Sequence, residues 1–376
     1  MSATQESREE ETAAFRPPAG WAGKPAAEDP VHFLLLLEDN NPPRRIPLAT
    51  LPAIIGRTAP ADIVLEGGTV SRRHCRLEQA GGGIVLTDLG STNGTVVNGD
   101  PIAAPVALQD GAMIGIGAYR LRYHRRSVDE TAEVEALERE LKEAADYVTS
   151  ILPPPLTEGP VLAEWFYQPC ARVGGDSFGY QMLDRQNFAA FVLDVAGHGT
   201  GAALHSVSVV NVLRQKLLPD VDFRDPSAVI RGLNRMFPME QYNALFFTIW
   251  YGVYNINRRV LTFATGGHHP AWLLPPPPLQ PVALATRNPS IGIAPDRDVA
   301  AARVSIPPNS ALYLFSDGVF EIVDQQDRQW GMEQVLALLP EAAGPGGPRR
   351  LFEQVRAAAR PGPFEDDVSI LLLRFP

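Results

Sequence analysis

From Val31 to Tyr123 the apolar residues come in short runs broken by Gly, Asn, Asp and Pro, a spacing that predicts the many short strands of an all-β sandwich. Between residues 128 and 152 the pattern changes. No Gly or Pro interrupts a stretch rich in Glu, Ala and Leu, and Val134, Leu137, Leu141, Ala144, Val148 and Ile151 recur at spacings of three and four, one apolar seam along a helix. Pro153-Pro154-Pro155 ends that helix, because proline lacks the amide donor and clashes with the preceding turn. Beyond Val161, Phe188 to Asp194 reads as a buried strand and Gly201 to Leu218 as a long apolar helix. Ala244 to Tyr254 and Val260 to Thr265 read as paired strands, and Ala311 to Ser316 and Val368 to Leu373 as two more. Strand pairs separated by long helices predict α+β layers. The expected division is an arm at 1–28, polar, acidic and disordered, a sandwich at 29–126, a helical linker at 127–155 and an α+β domain at 156–376. Pro275 to Pro278 are expected to form an exposed turn between two strands.

Composition narrows the picture. The net charge of −10 argues against nucleic acid as the main partner, since a phosphate backbone needs a basic face. No apolar stretch approaches the ~20 residues that span a bilayer. The early run Phe33 to Leu37 is too short for a signal-peptide core, so a cytoplasmic protein without a membrane partner is expected. Cys75 and Cys170 fall in different predicted domains and in no zinc-binding spacing, which argues against a structural disulfide.

Chemistry enters where apolar runs meet acid. Gly174-Gly175-Asp176, Asp194-Val195-Ala196-Gly197-His198-Gly199, Ser316-Asp317-Gly318 and Glu365-Asp366-Asp367-Val368-Ser369 all place carboxylates at strand ends. An unpaired buried carboxylate costs several kcal/mol. Four such places in one domain point to hard divalent cations held by clustered oxygens.

In the first domain, Ile55-Gly56-Arg57, Ser71-Arg72-Arg73-His74, Asp88-Leu89-Gly90-Ser91-Thr92-Asn93-Gly94-Thr95 and Ile114-Gly115-Ile116-Gly117 follow one another. Together they resemble a forkhead-associated (FHA) domain. Arg57, Ser71 and Arg72 offer the guanidinium and hydroxyl donors that suit a dianionic phosphoryl group. The resemblance implies phosphothreonine-peptide binding through Arg57, Ser71, Arg72, Thr92 and Asn93, and a bracing role for His74. The implied partner is a phosphothreonine protein, for instance a Ser/Thr kinase or its target.

In the second domain, Val173-Gly174-Gly175-Asp176, the Asp194 to Gly199 segment, Gly266-Gly267-His268-His269-Pro270, Ser316-Asp317-Gly318 and Asp366-Asp367-Val368-Ser369 resemble, in order, the motifs of the bacterial metal-dependent Ser/Thr protein phosphatases of the PP2C (PPM) class, the group related to the sporulation phosphatase SpoIIE. The resemblance implies two antiparallel sheets packed face to face with helices outside, and a cleft holding two Mn²⁺ or Mg²⁺ ions that activate a water for in-line attack on a phosphoserine or phosphothreonine. It implies Asp194 as the shared ligand, aided by the carbonyl of Val195. Asp176 completes one ion's shell, Asp317 and Asp366 hold the other, and Asp194 and Asp317 carry the catalytic charge. Asp367, one residue further along, is expected to face the other way, supporting the site or meeting solvent. His198, His268 and His269 are expected to serve the structure, and Gly197, Gly199 and Gly201 a tight strand-to-helix turn. One departure stands out: Gly179 occupies the place of a second aspartate in the first motif, which predicts one ligand fewer, replaced by water. Arg172 is a candidate for gripping phosphate. Two other readings share these residues: a phosphoprotein-binding scaffold without turnover, and a hydrolase of a small phosphorylated molecule. The linker seam predicts a homodimer through residues 128–152, or else one helix packed on the following domain, with Glu138 placed to pair with Lys142.

Overall fold

The structure, a computed structural model, describes residues 30–38, 41–294 and 297–376, so the predicted arm lies outside the described residues. The chain divides into two compact units, with the boundary between Val134 and Glu135 inside helix α1 (Val128–Ser150).

The first unit is the expected sandwich. Its strands run from β1 (Val31–Glu38) to β11 (Tyr119–Arg126), which pair antiparallel at the centre of a six-stranded sheet, and a five-stranded sheet covers it. Alternation explains the packing. Leu34, Leu36, Ile114, Ile116 and Leu121 from one sheet meet Ile55, Leu77, Ile84 and Leu86 from the other, all essentially without exposure.

Among the described residues, the second unit has ten strands: β12 (Leu162–Gln168), β13 (Ser177–Met182), β14 (Asn187–Val195), β15 (Phe247–Asn255), β16 (Val260–Gly266), β17 (Ala271–Leu274), β18 (Val282–Leu284), β19 (Ala302–Ser305), β20 (Ser310–Phe315) and β21 (Val368–Phe375). They form two antiparallel sheets, ordered β13-β14-β15-β16-β19 and β12-β21-β20-β17-β18. Phe178, Val192, Trp250 and Phe263 of one sheet pack on Leu273, Leu312, Leu314 and Leu371 of the other. Helices α2 (Thr200–Gln215) and α3 (Pro226–Met236) cover the outer face of the first sheet. Helices α4 (Met332–Ala342) and α5 (Gly347–Ala358) cover that of the second. The layering is therefore α/β/β/α, as the resemblance implied.

Helix α1 is amphipathic in two different ways. Its last turns pack on the second unit: Val148 meets Val173 and Ala203, and Ile151 enters the core under α2. Earlier along the helix, Val134 and Leu137 stay 48% and 55% exposed. Glu138 pairs with Arg172 at 2.8 Å, not with Lys142 as the helical spacing suggested. A tertiary partner with a forked guanidinium displaced the local one.

Candidate functional site

Alternation along the strands fixes where the acids lie. Phe188, Ala190 and Val192 point between the two sheets, so Asp194, next in the series, sits at the open end of that interlayer space. The same parity leads from Tyr180 and Phe178 back to Asp176, from Leu314 on to Ser316, and from Leu371 back to Ser369. The ends of the neighbouring strands β20 and β21 are held together there: Ser316 N donates to Ser369 O at 3.0 Å, and Ser316 Oγ donates to Asp367 O at 3.0 Å. A Cβ at Gly318 would lie 2.2 Å from that same carbonyl, so only glycine lets the Asp317 and Asp366 segments approach.

The turn after Asp194 is made by Gly197 and Gly199, with φ of 89° and 86°, which other residues resist. Gly201 is different: it lies within the first turn of α2 and plays no part in that bend.

Burial and like charge raise the clustered carboxyls together. Burial, then the charges of Asp317 and Asp366, push Asp194 up to about 7. Burial, then Asp366 and Glu321, push Asp317 up to about 6. Asp366 is raised as well, chiefly by burial, with His198 opposing the rise. Asp176 is 2% exposed and held well above the usual carboxylate range by burial and by Asp194. Its Oδ2 is buried and has no hydrogen-bond partner among the described residues. The carbonyl of Val195 faces the same loop, 3.2 Å from where a Cβ of Gly175 would stand. Oxygen donors of this kind, crowded and unneutralised, suit a hard divalent cation. The four aspartates do not yet close into a tight shell. Among the described residues, one group of three ligand atoms lies within 4.8 Å of one another, on Cys170, Asp366 and Asp367.

Two expectations need correcting. Gly179 faces away from the clustered acids. Its missing side chain would point to the helix-covered face, where a Cβ would lie 2.4 Å from Phe191 Cζ, away from the interlayer space that holds Asp176 and Asp194. Arg172 reaches Glu138 on α1 instead of the acids. The histidines divide. His268 is buried and His269 half-buried, and both lose proton affinity through desolvation, His269 down to about 4, so both are neutral; His269 packs beside Phe315 and Phe320, and His268 against His269. His198 is exposed on the turn.

Asp367 is the residue that the sequence left unassigned between support and solvent. It is 3% exposed, and its carboxylate accepts from Cys170 N at 2.8 Å and Gly175 N at 2.7 Å.

In the sandwich unit the predicted phosphopeptide residues converge on neighbouring loops. Arg57 N donates to Ser71 O at 3.0 Å, and a Cβ at Gly56 would lie 2.1 Å from Arg72 O, so glycine permits the crossing. Thr92 N donates to Ser71 Oγ at 3.0 Å, and Asn93 Nδ2 donates to Thr69 O at 2.8 Å. His74 braces the loops from beneath. Its Nδ1 accepts from Ser71 N at 3.1 Å, which leaves Nε2 as the donor to Gly94 O at 3.0 Å. Among the described residues, the guanidinium groups of Arg57 and Arg72 form no ion pair, so this rim has unneutralised positive charge.

Comparison with known proteins agrees with both units. The family model "Stage II sporulation protein E (SpoIIE)" matches residues 184–376, and the FHA domain model matches residues 53–117. Phosphoserine phosphatase RsbP of Bacillus subtilis is 26% identical over 187 residues, 49% of this chain and 45% of the relative. Glycogen accumulation regulator GarA of Mycolicibacterium smegmatis is 44% identical over 66 residues, 18% of this chain and 41% of the relative. The SiaA-PP2C domain of Pseudomonas aeruginosa superimposes with a TM-score of 0.57 at 21% identity, covering 65% of this chain and 99% of that one, which shows the PP2C fold. The chain spans somewhat less than half the length of the curated phosphatases it matches. With an FHA domain ahead of a matched region that takes in just over half of its residues, the chain belongs to the SpoIIE family.

Proposed function

We propose that the protein is a divalent-metal-dependent protein Ser/Thr phosphatase whose FHA domain recruits or senses phosphothreonine partners. The observation that carries this reading is the convergence of Asp176, Asp194, Asp317 and Asp366, from four separate motifs, at one end of the interlayer space with their carboxyls raised by burial and by neighbouring carboxylates. RsbP is named a phosphoserine phosphatase.

The chain would hold two Mn²⁺ or Mg²⁺ ions through Asp176, Asp194, the Val195 carbonyl, Asp317 and Asp366; bound there, such ions activate water and offset charge on phosphoryl oxygens. The protein's own part is placement. The paired sheet ends fix Asp194, the Gly197–Gly199 turn presents the Val195 carbonyl, and the apolar interlayer core behind the acids excludes bulk water. Phosphate release from a phosphoserine peptide, measured with and without Mn²⁺ or Mg²⁺, tests the reading. Turnover is expected only with the metal. Binding of the phosphopeptide without turnover would favour a scaffold, and turnover confined to small esters a small-molecule hydrolase.

The exposed start of the α1 seam supports self-association. Val134 and Leu137 remain about half exposed, and each fully buried aliphatic side chain stabilises association by ~1.5–3 kcal/mol. Replacing Leu137 and Leu141 by Glu sets like charges along an already acidic helix, so a wild-type dimer should become a monomer at micromolar concentration. Light scattering decides between them: a monomeric wild type, or a double mutant that still dimerises, rejects the seam. Because Val148 packs on Val173 and Glu138 pairs with Arg172, three and four residues before Asp176, the same mutant is expected to change turnover.

A further inference from the structure

We infer that Asp367 is a positioning residue that fixes the Asp176 loop, so that the two adjacent acids of the last motif have separate tasks. The inference rests on the phosphatase reading for its activity measurement and on geometry for the remainder.

Asp366 and Asp367 precede strand β21, which begins at Val368. The backbone there is a turn, with Asp367 N donating to Asp366 Oδ1 at 2.8 Å. Asp366 is exposed, whereas Asp367 is buried against the segment 170–176. There its Oδ1 accepts from Cys170 N at 2.8 Å, and its Oδ2 accepts from Gly175 N at 2.7 Å and, longer, from Asp176 N at 3.4 Å. The carboxylate therefore ties both ends of the loop that delivers Asp176. Hydrogen bonds to an ionised acceptor in a buried place are about twice as strong as neutral ones. The fit leaves no slack. A Cβ at Gly174 would stand 2.6 Å from Asp367 Oδ2 and 2.4 Å from the Tyr167 hydroxyl, so glycine is what allows the loop to close over this acid. Asp176 itself keeps its Oδ2 unpartnered, which is how a ligand should be held when a neighbour, not the ligand, supplies the anchoring. Direct ligation by Asp367 is the competing role, and its engagement with backbone donors on both oxygens argues against it.

The test uses the full-length chain. Hydrogen exchange is followed at the amides of residues 170, 175 and 176 in the metal-free protein, and Mn²⁺ binding is followed by calorimetry with turnover alongside. Asp367→Asn keeps the volume but exchanges one acceptor oxygen for an amide that cannot accept. Exchange of these amides should quicken at least tenfold, and Mn²⁺ should bind at least tenfold more weakly with its saturating stoichiometry unchanged. Excess Mn²⁺ should then restore most turnover. Asp176→Asn should weaken Mn²⁺ binding while leaving the exchange rates as in the wild type. Unchanged exchange in Asp367→Asn overturns the inference, as does a lost equivalent of bound Mn²⁺ that excess metal does not recover. If Asp367→Asn fails to fold, Gly174→Ala decides, because it pushes the loop off the same carboxylate without altering any acid. Wild-type exchange in Gly174→Ala overturns the inference, and quickened exchange upholds it. A chain without phosphatase activity would leave the exchange measurement intact, so failure of the enzyme reading is separable from failure of the brace.

Discussion

Asp194→Asn should leave a folded protein that melts at a higher temperature than the wild type when both are metal-free at pH 8, while turnover with saturating Mn²⁺ falls by roughly three orders of magnitude, the scale on which removing a transition-state charge stabiliser acts. The two effects share one cause. Burial and its acidic neighbours hold the Asp194 carboxyl at about 7 in the folded protein, against an ordinary value of 3.8. Between those values the native state carries the proton more often than the unfolded chain does. Stability contributed by this group is therefore present at low pH, falls as pH rises through that window, and is lost above about 7. Metal-free wild type should melt higher at pH 5 than at pH 8, and much of that slope should vanish in the variant. At pH 8 the neutral amide relieves on the order of 2 kcal/mol, several degrees in Tm for a domain of this size. Calorimetry on chelator-treated protein, with phosphopeptide turnover in Mn²⁺, checks both. Near-wild-type turnover in the variant would sink the assignment of Asp194 as shared ligand.

Recognition should be separable from chemistry. Arg57→Ala removes from the FHA rim a guanidinium that forms no ion pair among the described residues, and loss of charge-assisted bonds to a phosphate dianion should weaken phosphothreonine-peptide binding by roughly a hundredfold or more. Asn93→Ala should also abolish binding at micromolar peptide, for two reasons. On the FHA reading the amide grips the peptide, and its Nδ2 donates to Thr69 O at 2.8 Å, which ties this loop to the one that carries Ser71 and Arg72. Hydrolysis of a small phosphate ester should be unchanged in both. Fluorescence anisotropy with matched phosphorylated and unphosphorylated peptides is the measurement, and equal binding of the two by the wild type rejects the phosphothreonine reader.

The strands that end in acid were legible because a carboxylate that closes an apolar run is costly to bury unless a cation or a set of donors meets it, as at Asp194 after Phe188 to Leu193 and Asp317 after Leu312 to Phe315. Layering was legible too, since β14 alternates its contacts between the two cores residue by residue. What escaped was whatever depended on where a strand starts or on a partner distant in sequence. Asp367 was assigned a direction by strand alternation, but alternation begins only at Val368, and the turn before it aims the carboxylate at a loop far away in the chain. Gly179 looked like a missing ligand because the motif counts residues. The register, which pairs it with Phe191, puts it on the helix-covered side. Glu138 had a helical neighbour of opposite charge and paired elsewhere, because a helix-surface pair is worth only a few tenths of a kcal/mol.

The bond from Gly175 to Asp367 closes a loop of 192 residues. Ordering so long a segment costs entropy before any contact within the site returns it, and contacts of this separation form late when a chain folds. Asp176 and Asp194 belong to one sheet, whereas Asp317 and Asp366 flank strands of the other. A partly folded second unit therefore keeps its acids apart and has no hydrolytic centre. On the proposed phosphatase reading, dephosphorylation would begin only after the two sheets have met, which would make turnover itself a sensor of completed folding.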